Sequence, residues 1–129
     1  MPLDPEGVLA DWQRRVEQQS TLTTELSTRL QAVTASAESP GSEAVVTVDQ
    51  SGGLAGLRLS DRAMRLSPVE LADVILAASR RAQARLAQQV TDLVAVLYGS
   101  GSDTAAFIGG TYAAQFPEPD DEDEEDARR

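Results

Sequence analysis

The apolar residues of this chain follow two different periods, and each period predicts one kind of element. Over residues 5–35 they recur every three or four positions, which is typical of one face of a helix. Over residues 44–60 they alternate with small or polar residues, which is typical of a half-buried β-hairpin. From Ser67 to Tyr98 the helical period returns. The pattern therefore predicts an α+β chain in the order helix, hairpin of two or three strands, long helix.

The first predicted helix carries a narrow stripe that fits two kinds of contact. Its members are spaced alternately four and three residues apart, and the middle of the stripe is polar. This spacing is typical of a coiled-coil seam between helices, and it also fits an amphipathic helix packed on its own domain. Both alternatives stay open at the level of the sequence. The stripe consists of Trp12, Val16, Gln19, Thr23, Leu26, Leu30 and Val33.

Connecting segments flank the predicted hairpin on both sides. The stretch 35–43 is polar and contains Pro40 and Gly41, so we expect a linker there. The stretch 60–66 is predicted to be a short connection with room for a third extended piece. Inside the hairpin, residues 49–53 supply the turn, because their glycines adopt the positive φ that tight turns require.

The long helix has clear signals at both ends. Ser67 is the predicted N-cap, Pro68 occupies the first helical position and Glu70 completes a capping box, while Gly99 is placed to end the helix. Such a helix extends about 45 Å, well beyond what a small hairpin covers. Because its apolar stripe continues to Tyr98, we expect a second copy of the chain to bury the outer half.

A homodimer also solves a problem of the hairpin. A two-stranded ribbon is marginal by itself in water, whereas two hairpins joined across a two-fold axis form one larger sheet. The sequence thus predicts an intertwined homodimer. Its candidate dimerisation residues are Val46, Val48, Leu57, Leu59, Leu86, Val90 and Leu93.

The composition changes twice after the long helix. Residues 99–116 are rich in glycine and serine, and we expect a flexible segment with one short helical turn at most. Residues 117–129 hold eight carboxylates, which predicts a disordered acidic tail because like charges repel. Three roles stay open for this tail: it improves solubility, it mimics phosphate and covers arginines of its own chain, or it docks a basic partner or a divalent cation. Residues 1–98 then form the dimerisation domain.

Composition excludes several kinds of chemistry. The chain has no cysteine and no histidine, which removes disulfides, thiolate metal sites and the commonest general base. All eleven basic residues are arginines, so lysine Schiff-base chemistry is excluded. We expect no enzyme, no catalytic residue, no cofactor and no metal site. No apolar run approaches the roughly 20 residues that span a bilayer and no signal-peptide pattern is present, so we expect a cytoplasmic protein without a membrane partner.

Two motifs follow one another in this chain. The hairpin VVTVDQSGGLAGLRLS has the pattern V-x-V-x-x-x-G-x-L-x-x-L-x-L, and the helix SPVELADVILAASRRA has the pattern S-P-x-E-L-A-D-x-I-x-x-A-x-x-x-A. With the leading helix, they resemble the YbaB/EbfC family of nucleoid-associated proteins, particularly its actinobacterial members. The resemblance covers about residues 8–95. It implies a tweezer-shaped homodimer that binds double-stranded DNA with little sequence selectivity in the nucleoid.

Contact with DNA requires positive charge spaced to meet phosphates. On the long helix, Arg81 and Arg85 share a face one turn apart, and Arg80 is offset by about 100°. The alternative is that these side chains are solvated or paired with nearby acids, since residues 1–116 carry a net charge of −4 within a total of −10. The candidate DNA-binding residues are Arg58, Arg62, Arg65, Arg80, Arg81 and Arg85.

A second function stays open beside DNA binding. Some actinobacterial relatives are associated with type VII secretion loci, so the resemblance also allows a protein-interaction adaptor or chaperone-like component that keeps the fold without strong DNA binding. Arginines gathered on one surface favour DNA binding. Dispersed and paired arginines, together with an exposed apolar groove near residues 107–116, favour a protein partner.

Overall fold

The computed structural model describes residues 5–119, so the segment expected to be an acidic tail lies outside the described residues from residue 120 onward. The predicted α+β order of helix, sheet and long helix is confirmed, with one added strand and one added helix. The elements are α1 (Pro5–Ala32), β1 (Ala35–Glu38), β2 (Ala44–Val48), β3 (Leu54–Leu59), α2 (Pro68–Tyr98) and α3 (Asp103–Gln115). A short 3-10 helix, Asp61–Arg65, joins β3 to α2.

The three strands form one antiparallel sheet in the order β1-β2-β3. Val46 at the centre of β2 pairs with Ala37 on β1 and with Leu57 on β3. Helix α2 packs along β1 and β2 on one face of the sheet. The predicted alternation of β2 is confirmed, since Ala44, Val46 and Val48 are at most 1% exposed beneath this helix.

The predicted linker over residues 35–43 is wrong, because β1 occupies its first part. β1 reads Ala-Ser-Ala-Glu, and its two alanines are buried while its polar residues are exposed. Four residues give little periodic signal, and alanine has a low strand propensity, so the sequence pattern concealed this strand. Pro40 and Gly41 lie in the tight turn that follows. The third extended piece expected over residues 60–66 is likewise replaced by the 3-10 helix.

The β1–β2 turn is held by one buried hydroxyl. Ser39 is 4% exposed, and its Oγ accepts hydrogen bonds of 3.0 Å from the backbone N–H groups of both Glu43 and Ala44. The same hydroxyl donates to Oε2 of Glu43 at 2.6 Å. This hydroxyl therefore satisfies two backbone donors in a turn that the sequence pattern had assigned to a linker.

The β2–β3 turn is organised around Asp49. Its Oδ1 accepts hydrogen bonds from the Ser51 hydroxyl at 2.6 Å and from the backbone N–H groups of Ser51 and Gly53 at 3.0 Å. These bonds, led by that of the Ser51 hydroxyl, hold the pKa of Asp49 below its ordinary value. Gly52 has a φ of +83°, which confirms the expectation that this turn uses a left-handed glycine.

Both ends of α2 agree with the sequence. The Ser67 Oγ accepts from the Glu70 backbone N–H, and the Glu70 carboxylate accepts from the Ser67 backbone N–H, so the predicted capping box is confirmed. The helix ends at Tyr98, before Gly99, whose φ is +91°. α2 is thus the long central element that the apolar period predicted.

The expectation of weak order over residues 99–116 is wrong, since α3 is a helix of 13 residues packed on α2. Ser102 caps its start by accepting from the Ala105 backbone N–H at 3.0 Å. Two adjacent glycines in the middle of the helix argued against helical structure at the sequence level. One of them has a packing role, because a Cβ on Gly109 would lie 3.0 Å from Oγ1 of Thr91 on α2.

The chain itself covers the outer half of α2, where a partner chain was expected. Val90 and Val94 are 0% exposed and cluster with Leu26 of α1 and Ala105 of α3. Four candidate dimerisation residues are therefore enclosed in the core of the single chain, and a fifth, Leu93, packs against it. The four enclosed residues are Val46, Val48, Leu86 and Val90.

The stripe of α1 divides into two parts with different surroundings. Leu26 is buried, and Leu30 and Val33 pack against the same core, as expected for a helix on its own domain. Every residue from Val8 to Thr21 is exposed, and Trp12 reaches 60%. The two alternatives therefore apply to different halves of the stripe. The later half packs on its own domain, and the earlier half is exposed and available to a second helix.

The paired glycines of α3 give a matched test of its docking. We expect Gly110→Ala to raise the free energy of unfolding by about 0.5–1 kcal/mol, because alanine favours the helix and a Cβ there meets nothing within 4 Å. Gly109→Ala should gain clearly less or lose stability, because its methyl group meets Thr91. Urea unfolding followed by circular dichroism measures both, and equal stabilisation by the two variants would contradict the docking of α3.

Candidate nucleic-acid interface

The six candidate arginines lie in four different places rather than on one surface. Arg58 pairs across the sheet with Val45, which puts it on the sheet face away from α2. Arg62 and Arg65 lie in the 3-10 helix. Arg80 is exposed on α2, and its neighbours Arg81 and Arg85 turn toward β1.

Arg81 and Arg85 bind the outer edge of the sheet. Nη1 of Arg81 donates to the backbone oxygen of Glu38 at 2.7 Å, and Nη1 of Arg85 donates to that of Ser36 at 2.7 Å. Four residues of helix rise about 6.0 Å and two residues of strand about 6.6 Å, so the spacing of the donors matches that of the acceptors. The shared face that the sequence predicted for these arginines is therefore used against their own chain.

These two hydrogen bonds make the edges of the sheet unequal. The outward carbonyls of an edge strand are a template for another strand, and guanidinium groups that occupy them block such pairing. β1 is covered in this way along its four residues. β3 is the other edge, and on its outer side no strand lies beside it within residues 5–119.

The remaining candidate arginines differ in how they are bound. Nη1 of Arg62 donates to the backbone oxygen of Gly41 at 3.2 Å, which ties the 3-10 helix to the β1–β2 turn. Arg58, Arg65 and Arg80 are exposed, and none of them makes a hydrogen bond or ion pair with another residue in the described part of the chain. Among the six candidates, these three guanidinium groups are the ones available to an anionic ligand.

β3 also exposes apolar side chains toward the side that α2 occupies. Its leucines share a face with the buried residues of β2, but α2 lies over β1 and β2 and leaves this strip open. Leu54 is 57% exposed, and Leu57 and Leu59 are each 41% exposed. An open edge with an adjoining apolar strip is typical of a surface that another chain covers.

Comparison with known families decides the identity of this arrangement. The model of the YbaB/EbfC DNA-binding family matches residues 6–101, from the first turns of α1 to the end of α2. The chain belongs to the YbaB/EbfC DNA-binding family. No curated protein and no solved structure matches this chain. Helix α3 begins at Asp103, beyond the matched residues, so it is an addition to the part of this YbaB/EbfC protein that resembles the family.

The described residues also bear on two further kinds of site. Across residues 5–119, no group of three or more acidic side chains is placed to hold a metal ion. Over the same range, no helix combines the length and the apolar character needed to cross a bilayer. The described features of this YbaB/EbfC protein that suit a macromolecular partner include its exposed arginines, the open strand β3, and the exposed apolar residues Trp12 and Phe107.

The edge contacts of α2 are tested by comparing neighbouring arginines. We expect Arg81→Ala and Arg85→Ala each to lower the free energy of unfolding by about 0.5–1.5 kcal/mol, because each removes a charged donor from an edge carbonyl. Arg80→Ala is the matched control and should change it by less than about 0.5 kcal/mol, as is usual for an exposed surface position. Urea unfolding measures all three, and equal losses at the three positions would contradict the assigned contacts.

Proposed function

We propose that this YbaB/EbfC protein is a homodimer joined through β3 that binds double-stranded DNA with little sequence selectivity. The family match over residues 6–101 carries this proposal, because it covers the sheet and both long helices. Its proposed place of action is the nucleoid in the cytoplasm, as befits a nucleoid-associated family. Its action needs no catalysis, in keeping with a chain that contains no histidine, cysteine or lysine.

The inequality of the two sheet edges supports β3 as the dimer contact. Arg81 and Arg85 close the edge of β1, so a second sheet can extend this one only at β3. Antiparallel pairing of β3 with its copy joins two three-stranded sheets into one of six strands. The same contact covers Leu57 and Leu59, which are the two candidate dimerisation residues that lie exposed on a strand.

The exposed half of α1 supports the same assembly. Trp12 and Val16 are 60% and 47% exposed and lie one turn apart on the part of the stripe that has the spacing of an interhelical seam. A second copy of the chain presents the same stripe in a symmetric position, so the two α1 helices can pack against each other along identical residues. In this assembly the part of α1 from Leu26 onward packs on its own domain. The part before Leu26 packs on the partner copy.

Arg58, Arg65 and Arg80 carry the proposed contact with DNA. All three guanidinium groups are exposed, and a dimer presents each of them twice. Guanidinium groups that meet phosphates bind DNA of any sequence, and their binding weakens steeply with salt because counterions are released. The net charge of −4 over residues 1–116 limits this attraction, so the proposed binding is of modest affinity.

An adaptor function is the second candidate, and two observations favour it. Arg62, Arg81 and Arg85 each donate to a backbone oxygen of their own chain, which takes half of the candidate arginines away from a ligand. Phe107 is 75% exposed on α3, in the region where an exposed apolar groove favours a protein partner. An adaptor of this kind keeps the dimer and lacks affinity for DNA even at low salt.

The dimer contact is tested by placing charge on the open strip. We expect Leu57→Lys combined with Leu59→Lys to give a monomer, because two like charges from each copy then meet in an apolar contact. Phe107→Lys, at a more exposed apolar residue on α3, is the control and should leave the dimer intact. Light scattering after size exclusion measures the mass, and a native chain that is monomeric at micromolar concentration would contradict the dimer.

DNA binding is tested by fluorescence anisotropy on a random-sequence duplex at several salt concentrations. We expect Arg58→Gln, Arg65→Gln and Arg80→Gln each to weaken binding and to reduce the slope of log affinity against log salt by about one per lost phosphate contact. Arg14→Gln is the control, because Arg14 is engaged with Asp11 in an ion pair of 2.6 Å and should bind as the native chain does. Absence of binding at low salt would reject this function in favour of the adaptor.

A further inference from the structure

Helix α3 lies on the side of α2 that faces away from β1. Arg81 and Arg85 reach the carbonyls of β1. Gln83, between them in the sequence, points to the opposite side of the helix and donates to the backbone oxygen of Gly52 at 2.9 Å. The ring of Phe116, just after α3, packs directly on the same glycine. Because the sheet has the order β1-β2-β3, α3 ends on the side of the open strand β3.

Two aromatic side chains hold the end of α3 on the β2–β3 turn. The hydroxyl of Tyr112 donates to the backbone oxygen of Gln50 at 3.1 Å. The rings of Tyr112 and Phe116 contact each other, with centroids 6.2 Å apart. Both side chains are only half-buried in the single chain. Tyr112 and Phe116, which we call the aromatic end of α3, therefore stand in a fixed position on the turn and keep apolar surface open.

The proposed pairing of β3 with its copy brings the turn close to another element. In an antiparallel pair, the start of each strand lies beside the end of the other. The β2–β3 turn precedes β3, and the 3-10 helix Asp61–Arg65 follows it. Neighbouring strands lie about 4.8 Å apart, so side chains that stand on the turn of one copy reach the 3-10 helix of the other.

Met64 is the apolar side chain that the 3-10 helix exposes. It is 65% exposed, whereas its neighbour Ala63 is 0% exposed and anchors the helix in its own domain. Within one chain, β3 separates Met64 from the aromatic end of α3, and its six residues span about 20 Å. A contact between the two can therefore form only between two copies. The thioether of methionine is well suited to it, because sulfur packs favourably at the edges of aromatic rings.

We propose that the aromatic end of α3 packs on Met64 of the partner subunit and gives the dimer a second contact beside β3. This inference rests on the proposed dimer, and the two-fold axis makes the contact occur twice. α3 begins at Asp103, beyond the residues 6–101 that match the family, so the contact belongs to the added part of this chain. A mixed dimer with a copy that lacks α3 keeps one of the two contacts, which favours pairing between like copies.

The charges beside this contact are complementary. The 3-10 helix holds Arg62 and Arg65 against one acid, Asp61. On the other side, Glu118 follows the aromatic end of α3 by two residues and is exposed. Exposed charges of this kind add little affinity, but they orient two surfaces as they meet.

Disulfide formation between introduced cysteines tests the contact, because the native chain contains no cysteine. One variant combines Met64→Cys with Gln115→Cys, at the exposed residue next to Phe116. The control combines Met64→Cys with Thr104→Cys, at the other end of α3. We expect mild oxidation at low micromolar concentration to convert most of the first variant into a covalent dimer and little of the control. Mass on a denaturing gel without reductant measures both.

The possible results separate this contact from the dimer on which it rests. Equal yields of covalent dimer from the two variants would overturn the contact, because they would show only random collision. Absence of the covalent dimer from a variant that light scattering shows to be dimeric would also overturn it and leave the pairing of β3 in place. A native chain that is monomeric would reject the proposed dimer itself.

The affinity of the dimer gives a second test, measured by sedimentation velocity over a dilution series. We expect Met64→Ala to raise the dissociation constant roughly three- to tenfold, as loss of a sulfur–aromatic contact implies. Phe116→Leu keeps an apolar side chain over Gly52 but removes the ring, so Met64→Ala should cost clearly less in that background. Phe107→Ala, at a more exposed aromatic residue of α3, is the control background and should leave the loss unchanged.

An equal loss from Met64→Ala with native Phe116 and with Phe116→Leu would overturn the contact with the aromatic end. A dissociation constant that Met64→Ala does not change would overturn it as well. Circular dichroism of each variant shows that a changed affinity does not come from unfolding.

Discussion

Two hydrogen bonds from guanidinium groups to edge carbonyls determine how this chain can associate. Arg81 and Arg85 bind the carbonyls of Glu38 and Ser36, and thereby make α2 a cover for one edge of the sheet as well as for one face. A three-stranded sheet has two edges, and association through both would give an open polymer. With β1 closed, only β3 is left for pairing, and in the proposed assembly a single self-complementary contact gives a closed dimer.

The same arrangement divides the arginines by role. Arginines that donate to backbone oxygens of their own chain hold the sheet edge in place, and arginines on exposed faces remain available to a ligand. Clustering of arginines in the sequence is therefore a poor guide to which of them bind a ligand. Arg80 and Arg81 are adjacent in the chain, yet one is exposed and the other holds the sheet edge. Helical rotation of about 100° per residue separates the two environments completely. A protein with a net charge of −10 can in this way keep a few arginines available while it uses the others for its own stability.

Sequence patterns predicted the elements that have strong local signals. The capping box at Ser67, the left-handed glycine at Gly52 and the alternation of β2 all depend on residues close in the chain, and all are found in the structure. β1 and α3 were missed because alanines and glycines carry weak local preferences, and their structure depends on distant partners. The hydrogen bonds from Arg81 and Arg85 to the sheet edge could not be predicted from the sequence for the same reason, because their acceptors belong to β1. The enclosure of Leu86 and Val90 likewise depends on α1 and α3, so the sequence alone assigned these residues to a partner chain.

The exposed first half of α1 has a thermodynamic consequence for assembly. Over residues 8–21 the helix has its own hydrogen bonds but buries no side chain in the single chain. A helical segment that packs on nothing is marginal in water, because most helical stability in proteins comes from tertiary packing of one face. In the proposed homodimer, ordering of this segment and joining of two copies are therefore coupled in one equilibrium, in which association supplies the burial that the helix lacks. The heat-capacity change of dimerisation then includes the folding of two helix halves, beyond what docking of rigid bodies would give.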